Sequence, residues 1–416
     1  MTHVFKSGAC VACALFVALS HTACSRPPPP PRDSGRPAPA LTDAAPDAAS
    51  DEDEPSDAAV IDAAPEDTGA GPRRVVVTST GGIVLHRHVV QMAQSYREMG
   101  GLSYMLTRIA PIITPREVAI VPLEGPLSTA ARPPWVGDNP ALGGHPWMAR
   151  QIARVGFDAV VLATNHALDQ RPDGLESTIE ALDQATLGAI GAGRSEEDAY
   201  TPWTTERDGV RVAVLGYTDR SAFAPGGADA RAFVARELSR VLDAVRAART
   251  NADIVVVCAH WGRDRNPNAN ANQRSLARRF IDAGADLVLG AGPAVLQSVE
   301  RFTSDRGDAV VAFSLGSLLS NFGSAWHNGV AERPLSDPMG VMYDPKTRDG
   351  ALLRVQFEVP EPGRVTLVSM SAVATWTVNF TSDLHVVPMR HADDRISRER
   401  LRAVTNALGQ AVRVRP

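Results

Sequence analysis

The segment Ile254-Val255-Val256-Val257-Cys258-Ala259 is a run of apolar, mostly β-branched residues, and His260-Trp261-Gly262 follows it directly. The run predicts a buried strand, because β-branched side chains pack well on a pleated surface. Cys258 is then an inert core thiol, not a nucleophile. The polar residue that follows is expected to lie where a strand ends and a functional loop begins.

The same alternation of short apolar runs with longer amphipathic stretches begins at Arg73 and predicts strands joined by helices. Such an order is typical of an α/β core with its site at the carboxyl ends of the strands. The predicted strands are 75–78, 118–122, 159–162, 210–216, 254–259, 287–290 and 309–314. The predicted helices are 146–155, 172–184, 231–249 and 272–283, and Gly156 and Gly284 are expected to end two of them in a left-handed conformation.

Beyond Gly350 the pattern becomes one of strands alone. Residues 351–359, 363–370 and 372–379 predict a β meander, and residues 397–408 predict a closing helix.

The composition shows no electrostatic sign of nucleic-acid binding. The chain has 416 residues, 44% hydrophobic side chains and a formal net charge of −5. Residues 41–72 carry ten acidic residues and no Lys or Arg, and the residues after 72 sum to about +2. Because a basic patch is the first feature expected of a nucleic-acid-binding protein, no nucleic-acid partner is expected.

Residues 1–24 have the three parts of a secretory signal peptide. Lys6 precedes the apolar run Ala12 to Leu19, which is too short to span a bilayer, and small residues follow it. Cleavage before Cys24 would resemble lipoprotein processing, although His21 stands where the bacterial lipobox has Leu. We expect an exported, periplasmic or cell-envelope protein, anchored to the membrane if Cys24 is acylated. Residues 25–72, rich in Pro, Ala, Asp and Ser, predict a disordered stalk.

Six short blocks lie at the ends of the predicted strands. They are Gly81-Gly82-Ile83-Val84-Leu85-His86-Arg87, Leu123-Glu124-Gly125-Pro126-Leu127, Ala163-Thr164-Asn165-His166-Ala167-Leu168-Asp169, Val214-Leu215-Gly216-Tyr217-Thr218, His260-Trp261-Gly262 and Phe313-Ser314-Leu315-Gly316. In content and order they resemble the blocks of the CapA family of poly-γ-glutamate capsule-synthesis proteins. The resemblance covers about residues 73–322, and the elements of residues 350–412 are expected to complete one CapA-like domain of residues 73–416.

The resemblance implies a metallophosphoesterase-like α/β fold, a four-layer α/β/β/α sandwich with metal ligands on the loops after the strands. It also implies a role in the synthesis or export of an anionic surface polymer of the poly-γ-glutamate type. The implied partners are the polymer or its export machinery. The fold alone does not fix the function.

The sequence departs from the family's metal-binding pattern. Gly82 stands where the family has Asp, and Gly290-Ala291-Gly292-Pro293-Ala294 stands where the family has Gly-His-His-Pro-His. A two-metal centre needs several carboxylate and imidazole ligands, including one that bridges the ions. The reduced set predicts a degenerate site with at most one divalent metal ion, since three protein ligands and a water can hold a single ion.

The remaining candidates divide by role. His166 and Asn165 are the catalytic candidates, and Glu124, Arg87 and Asp169 are the candidates for binding. The weak metal-ligand candidates are Glu124, Asn165, His166 and His260.

Each candidate also has a structural interpretation. Asn165 and His166 could cap the following helix, Glu124 could hold its loop through backbone hydrogen bonds, and His260 could be a hydrogen-bonded core histidine. Two further histidines, His86 and His88, could replace lost ligands, whereas Asp169 and Asp264 could be solvated loop acids. His145 and His327 have no spacing partner and receive no role.

Three hypotheses follow. The preferred one is a noncatalytic CapA-like domain that binds a surface polymer or a partner in its export. The alternative is a metal-dependent, phosphoesterase-like hydrolase with a reduced site. The third is a structural lipoprotein that only displays a domain. The sequence alone leaves open whether the chain is an enzyme.

Overall fold

A computed structural model describes residues 72–129, 135–136, 139–220, 233–326, 334, 336–380, 382–389 and 395–416. The predicted signal peptide, the predicted stalk up to residue 71 and His327 lie outside these residues. No helix of the described part is long and apolar enough to cross a membrane.

The described residues form twenty β-strands and eight α-helices. The strands are β1 (Arg73–Ser79), β2 (Gly82–Val84), β3 (Val118–Glu124), β4 (Trp135–Val136), β5 (Asn139–Pro140), β6 (Ala159–Val161), β7 (Gly188–Ile190), β8 (Ala192–Gly193), β9 (Trp203–Arg207), β10 (Val210–Thr218), β11 (Phe233–Val234), β12 (Ile254–His260), β13 (Leu287–Ala291), β14 (Val299–Ser304), β15 (Gly307–Ala312), β16 (Ser317–Leu319), β17 (Asp349–Val359), β18 (Thr366–Phe380), β19 (Asp383–Pro388) and β20 (Arg413–Arg415). The helices are α1 (Arg87–Ser95), α2 (Leu102–Met105), α3 (Trp147–Val155), α4 (Arg171–Gln184), α5 (Glu196–Tyr200), α6 (Leu238–Ala248), α7 (Ala271–Ala283) and α8 (Arg395–Leu408).

Two large sheets contain most of the strands. The ten-stranded sheet has the order β16-β2-β3-β1-β17-β18-β19, with β6 joining β3 to β7 and with β20 paired to β18. The six-stranded sheet has the order β14-β15-β13-β12-β10-β9. Its inner strands β15, β13, β12 and β10 are parallel, and the edge strands β14 and β9 are antiparallel to their neighbours.

Strand β3 shows how the layers form. Its residues alternate in direction, as they do in any strand. Val118 and Ile120 enter an apolar layer that also contains Val214 and Val256 of the six-stranded sheet. Ala119, Val121 and Leu123 face the opposite layer, where they pack with residues of α1 to α4.

On the far side of the six-stranded sheet, α6 and α7 cover β10 and β12. The order of layers is therefore helix, sheet, sheet, helix. The predicted α/β class and the four-layer α/β/β/α arrangement are confirmed.

The seven predicted strands before residue 320 are confirmed, with ends that shift by a few residues. Gly156 and Gly284 follow α3 and α7 with φ angles of 108° and 120°, as predicted. The beginning of the predicted helix 231–249 is wrong within the described residues, because α6 starts only at Leu238. Phe233–Val234 instead forms β11, held extended by antiparallel pairing with β8.

The C-terminal meander differs from the prediction in two ways: two of the predicted strands form one strand, and two further strands are present. Residues 366–380 form the single strand β18, because Ser371 in its middle pairs with Arg354 of β17 and with Arg413 of β20. Strands β19 and β20 were not predicted. The closing helix is confirmed as α8.

We expect a fragment of residues 73–322 to be insoluble or molten, because it lacks β17. This strand pairs with all seven residues of β1 and contributes Leu353, Val355 and Phe357 to the layer between the sheets. Loss of one buried Phe side chain alone costs about 3–5 kcal/mol, a large part of a domain's stability. Urea unfolding followed by circular dichroism checks this, with residues 73–416 as the control. A cooperative transition of the short fragment would contradict the single-domain prediction.

Candidate functional site

Polar residues from both sheets meet at the carboxyl ends of the parallel strands. Glu124 is the last residue of β3 and His260 is the last residue of β12. His166 lies in the turn after β6, and Arg220 follows the end of β10. The charges of His166 and Arg220 act on both Glu124 and His260, so these four residues form one group, which we call the cluster.

The Glu124 carboxyl occupies the space next to Gly82. A Cβ added at Gly82 would lie 2.9 Å from Glu124 Oε1. Burial raises the pKa of Glu124 to about 7, although the positive charges of His166 and Arg220 lower it. Near neutral pH this carboxyl is therefore present in both protonation states, and it can donate or accept a hydrogen bond.

His166 and Asp169 form a hydrogen-bonded pair. The distance from His166 Nδ1 to Asp169 Oδ2 is 2.7 Å, and the same oxygen accepts a hydrogen bond of 2.7 Å from the Leu142 backbone N–H. Burial alone would lower the pKa of His166, but the hydrogen bond to Asp169 and the charges of Asp169 and Glu124 raise it. The pair fixes the ring so that Nε2 is left for a ligand.

The capping interpretation of Asn165 and His166 is wrong. Helix α4 begins only at Arg171, and the residue before it, Gln170, makes no side-chain cap hydrogen bond. Asp169 is also not a solvated loop acid, since its side chain is fully buried.

His260 lacks the partners of an ordinary core histidine. The residue is 2% exposed, and neither ring nitrogen has a hydrogen-bond partner among the described residues. Burial lowers the pKa of His260 well below its ordinary value, and the nearby positive charges of Arg220 and His166 lower it further. Asn165 Oδ1 is buried and unpartnered in the same way. Since buried polar atoms in native proteins are almost always paired, these atoms indicate a place for a polar ligand.

Arg220 is the functional candidate that sequence reasoning missed. Its Nη1 donates to Asp264 Oδ1 at 2.9 Å and approaches the Gly292 carbonyl oxygen at 3.5 Å. Its side chain is 29% exposed, so its positive charge is partly buried within the cluster. A lone Arg after a strand has no motif around it. The only sequence signal was its position at the carboxyl end of β10.

The other candidates are placed differently. His86 comes close enough to His166 to be affected by its charge, and burial together with that charge lowers the pKa of His86 to about 3. Its Nδ1 accepts a hydrogen bond of 3.1 Å from the Asn321 backbone N–H, which leaves the proton of the neutral ring on Nε2. Arg87 is exposed at the start of α1, and no contact joins it to the cluster among the described residues. His145 is exposed and stacks on Trp147.

One position at which the family has a metal ligand is closed by the backbone of this chain. Gly292, which stands where the family has its second His, has a φ of 114°, and a Cβ there would lie 2.4 Å from the Trp261 carbonyl oxygen. Within the described ranges, no three His, Cys, Asp or Glu side chains lie close enough together to hold a metal ion. The number of metal ions that this site binds, one or none, stays a prediction.

Comparison with known protein families identifies the family of this chain. The family of bacterial capsule synthesis proteins named PGA_cap matches residues 76–322, which include every residue of the cluster. The chain belongs to this family. Within it, the chain is 28% identical to the capsule biosynthesis protein CapA of Bacillus anthracis over 61% of either chain. It is 27% identical to the PGA biosynthesis protein CapA of Bacillus subtilis (strain 168) over 68% of either chain.

The match spans about three fifths of the length of the Bacillus anthracis protein. Among solved structures, the chain is similar to a novel phosphatase from Mycoplasma pneumoniae, with 11% identity, a TM-score of 0.43, and coverage of 78% of this chain and 99% of the other. It is also similar to a 5′-nucleotidase from Candida albicans SC5314, with 10% identity, a TM-score of 0.33, and coverage of 72% and 52%. Likeness at this level says nothing about activity.

We expect Glu124→Gln to stabilise the protein at pH 8 and to have little effect at pH 4. The pKa of Glu124 is about 7 in the folded protein against an ordinary 4.5. Its contribution to stability is therefore fully present below pH 4.5 and is lost as the pH rises through 7. Because Glu124 is partly exposed, the gain at pH 8 is about 1–3 kcal/mol. Urea unfolding at both pH values measures it.

The matched control for this experiment is Glu98→Gln, which changes an exposed Glu outside the cluster. If Glu124→Gln were less stable than the wild type at pH 8, the carboxyl would be held ionised by Arg220, and the raised pKa would be wrong.

Proposed function

We propose that this chain is an exported accessory protein in the synthesis or export of an anionic surface polymer of the poly-γ-glutamate type, and that the cluster binds a carboxylate of that polymer. Membership of the capsule-synthesis family supports the biological role. The ligand chemistry rests on the residues of the cluster, and Arg220 is the observation that carries it.

Arg220 supplies a fixed positive charge. Its charge acts on Glu124, His166 and His260 at once. A guanidinium is always charged and offers planar pairs of N–H donors that match a carboxylate. A fixed cation attracts an anionic group and repels a divalent metal ion. Arg220 Nη1 already donates to Asp264 Oδ1, so a ligand carboxylate would bind the remaining N–H donors of the guanidinium.

Polar atoms of the cluster and of the neighbouring Asn165 can form further hydrogen bonds with such a ligand. A carboxylate that pairs with Arg220 can also accept a hydrogen bond from His166 Nε2, because the pairing with Asp169 leaves that nitrogen facing away from its own partner. Neutral His260 and the protonated form of Glu124 add donors without adding negative charge. The amide N–H groups of such a polymer provide donors for Asn165 Oδ1, which is buried and unpartnered.

One observation favours the alternative, a hydrolase. The pair of His166 and Asp169 is the arrangement that orients an imidazole for general acid–base catalysis. If a single divalent ion bound, the candidate ligands Glu124, His166 and His260 would have to move closer together to hold it, since no three such side chains of the described residues lie close enough as placed. A bound ion would supply polarisation of an ester. The chain's own residues would still orient the substrate through Arg220.

We expect Arg220→Gln to weaken binding of a short γ-glutamyl oligomer to the purified chain by about 10-fold to 100-fold, since a hydrogen bond to a charged group contributes about 1.5–3 kcal/mol. Isothermal titration calorimetry measures the affinity. Arg246→Gln, on the outer surface of α6, is the control and should bind like the wild type.

Metal content and hydrolysis decide between the two functions. Bound manganese, iron and zinc are measured in the same protein, and phosphomonoesters and phosphodiesters are assayed with each metal added. Unchanged binding by Arg220→Gln would contradict the carboxylate site. Two metal equivalents, or a hydrolytic activity abolished by His166→Ala and His260→Ala, would promote the hydrolase.

The proposal includes export and a lipid anchor at Cys24, supported by the charged start, the apolar run and the Pro-rich segment of the sequence. In fractionated cells, the wild type should be found with the membrane and Cys24→Ser should be found in the soluble periplasmic fraction. Equal solubility of the two forms would contradict the anchor.

A further inference from the structure

A basic groove lies at the end of β3 that is remote from the cluster. It has a volume of about 1010 Å³ and is lined by residues 107–114, by the middle of β18 and by β20. Residues 107–114 precede the start of β3 at Val118, whereas Glu124 ends the same strand at the cluster. The seven residues of β3 span about 20 Å, so the groove and the cluster are separate sites.

Arginines dominate the charge of the groove. Arg108, Arg354, Arg413 and Arg415 line it, and among the described residues no Asp or Glu does. Arg354 is neutralised by Glu117, whose carboxylate lies 3.0 Å away. Arg108, Arg413 and Arg415 are exposed, and no ion pair joins any of them to another described residue. No described side chain therefore neutralises these three arginines by an ion pair.

The fold fixes the direction and spacing of two of these charges. Strand β20 pairs in parallel with β18, so that Arg413 lies opposite Ser371 and Arg415 lies opposite Val373. Val414 between them packs against the apolar layer between the sheets, which turns both arginines to the other face. Residues two apart in a strand are about 7 Å apart along it. The arginines therefore form a short row beside Arg108.

We propose that this groove binds an extended polycarboxylate chain, with successive carboxylates on Arg415, Arg413 and Arg108. Guanidinium groups pair with carboxylates through two parallel hydrogen bonds, and a row of them suits a ligand with carboxylates at regular intervals. A single-stranded nucleic acid also carries regular negative charges, but proteins that bind it stack its bases on aromatic side chains. In the part of the chain that the structure describes, no aromatic residue lines the groove.

The inference rests on the proposed function for the identity of the chain and adds a second contact with it. The cluster would hold one carboxylate, and the groove would hold a stretch of the same or another polymer molecule. A long polymer would then bind more tightly than a short one, since the two sites act together.

The test uses the full chain and three probes, namely long poly-γ-glutamate, a γ-glutamyl dipeptide and a thymidine oligonucleotide with as many charges as the long polymer. The groove variants are Arg413→Ser/Arg415→Ser and, on a different element, Arg108→Ser. The control is Arg150→Ser/Arg402→Ser, which removes two exposed arginines from α3 and α8 outside the groove. Thermal unfolding confirms that each variant is folded, and Arg108→Ser keeps the test valid if the terminal strand detaches.

We expect the double groove variant to bind long poly-γ-glutamate at least 10-fold more weakly than the wild type and to show a weaker salt dependence, because fewer counterions are displaced. Dipeptide binding should stay unchanged. Binding of the long polymer at wild-type strength by both groove variants would overturn the inference, as would tighter binding of the oligonucleotide. If Arg220→Gln loses the dipeptide while the groove variants change nothing, the proposed function stands and the groove fails. If instead the groove variants weaken binding of the long polymer and Arg220→Gln leaves dipeptide binding unchanged, the groove is supported and the cluster is not the carboxylate site.

Discussion

Val77 and Ile120 of the ten-stranded sheet pack with Val214 and Val256 of the six-stranded sheet in a layer that is almost completely buried. This contact between the two sheets determines where the helix layers and the polar residues at the strand ends lie. Because each of these strands alternates its side chains, the residues between those in the layer face the helices, which produces the four layers. Because the strands that supply the layer are mostly parallel within each sheet, their carboxyl ends lie at an edge. The polar residues that follow them are brought together there.

The edge keeps its polar residues at a cost to stability. A buried polar group without a partner costs about 1–3 kcal/mol, and the two ring nitrogens of His260 and the Asn165 oxygen are all in this condition. Glu124 also lowers stability near neutral pH. Burial raises its pKa to about 7, because the ionised carboxyl is disfavoured where the fold holds it. Residues selected only for stability would have been apolar here. This arrangement agrees with the ligand site proposed above, because a ligand can supply partners for these atoms.

The sequence predicted what depends on local pattern and missed what depends on distant pairing. The strand at 254–259 was predictable because its β-branched run can hardly form anything else, and the caps at Gly156 and Gly284 were predictable from their positions. Residues 233–234 were assigned to a helix because nothing local shows that β8 holds them extended. Arg220 was missed for a related reason, since its importance comes from the three residues that its charge reaches. The family blocks located His166 and His260, but not the unpartnered state of His260, which only the packed structure shows.

Gly82 and Gly292 differ in how firmly the space beside each of them is occupied. An Asp at position 82 would place its Cβ 2.9 Å from Glu124 Oε1, the end of a flexible side chain that can turn aside, and would bring its carboxylate close to that of Glu124. Two carboxylates this close repel each other unless a proton or a metal ion lies between them. The ion would need further donors, but Gly292 cannot take an imidazole while its Cβ position lies 2.4 Å from the Trp261 carbonyl oxygen. The two positions therefore differ, because Glu124 can move away from residue 82, whereas a side chain at position 292 would require the backbone of Trp261 to move.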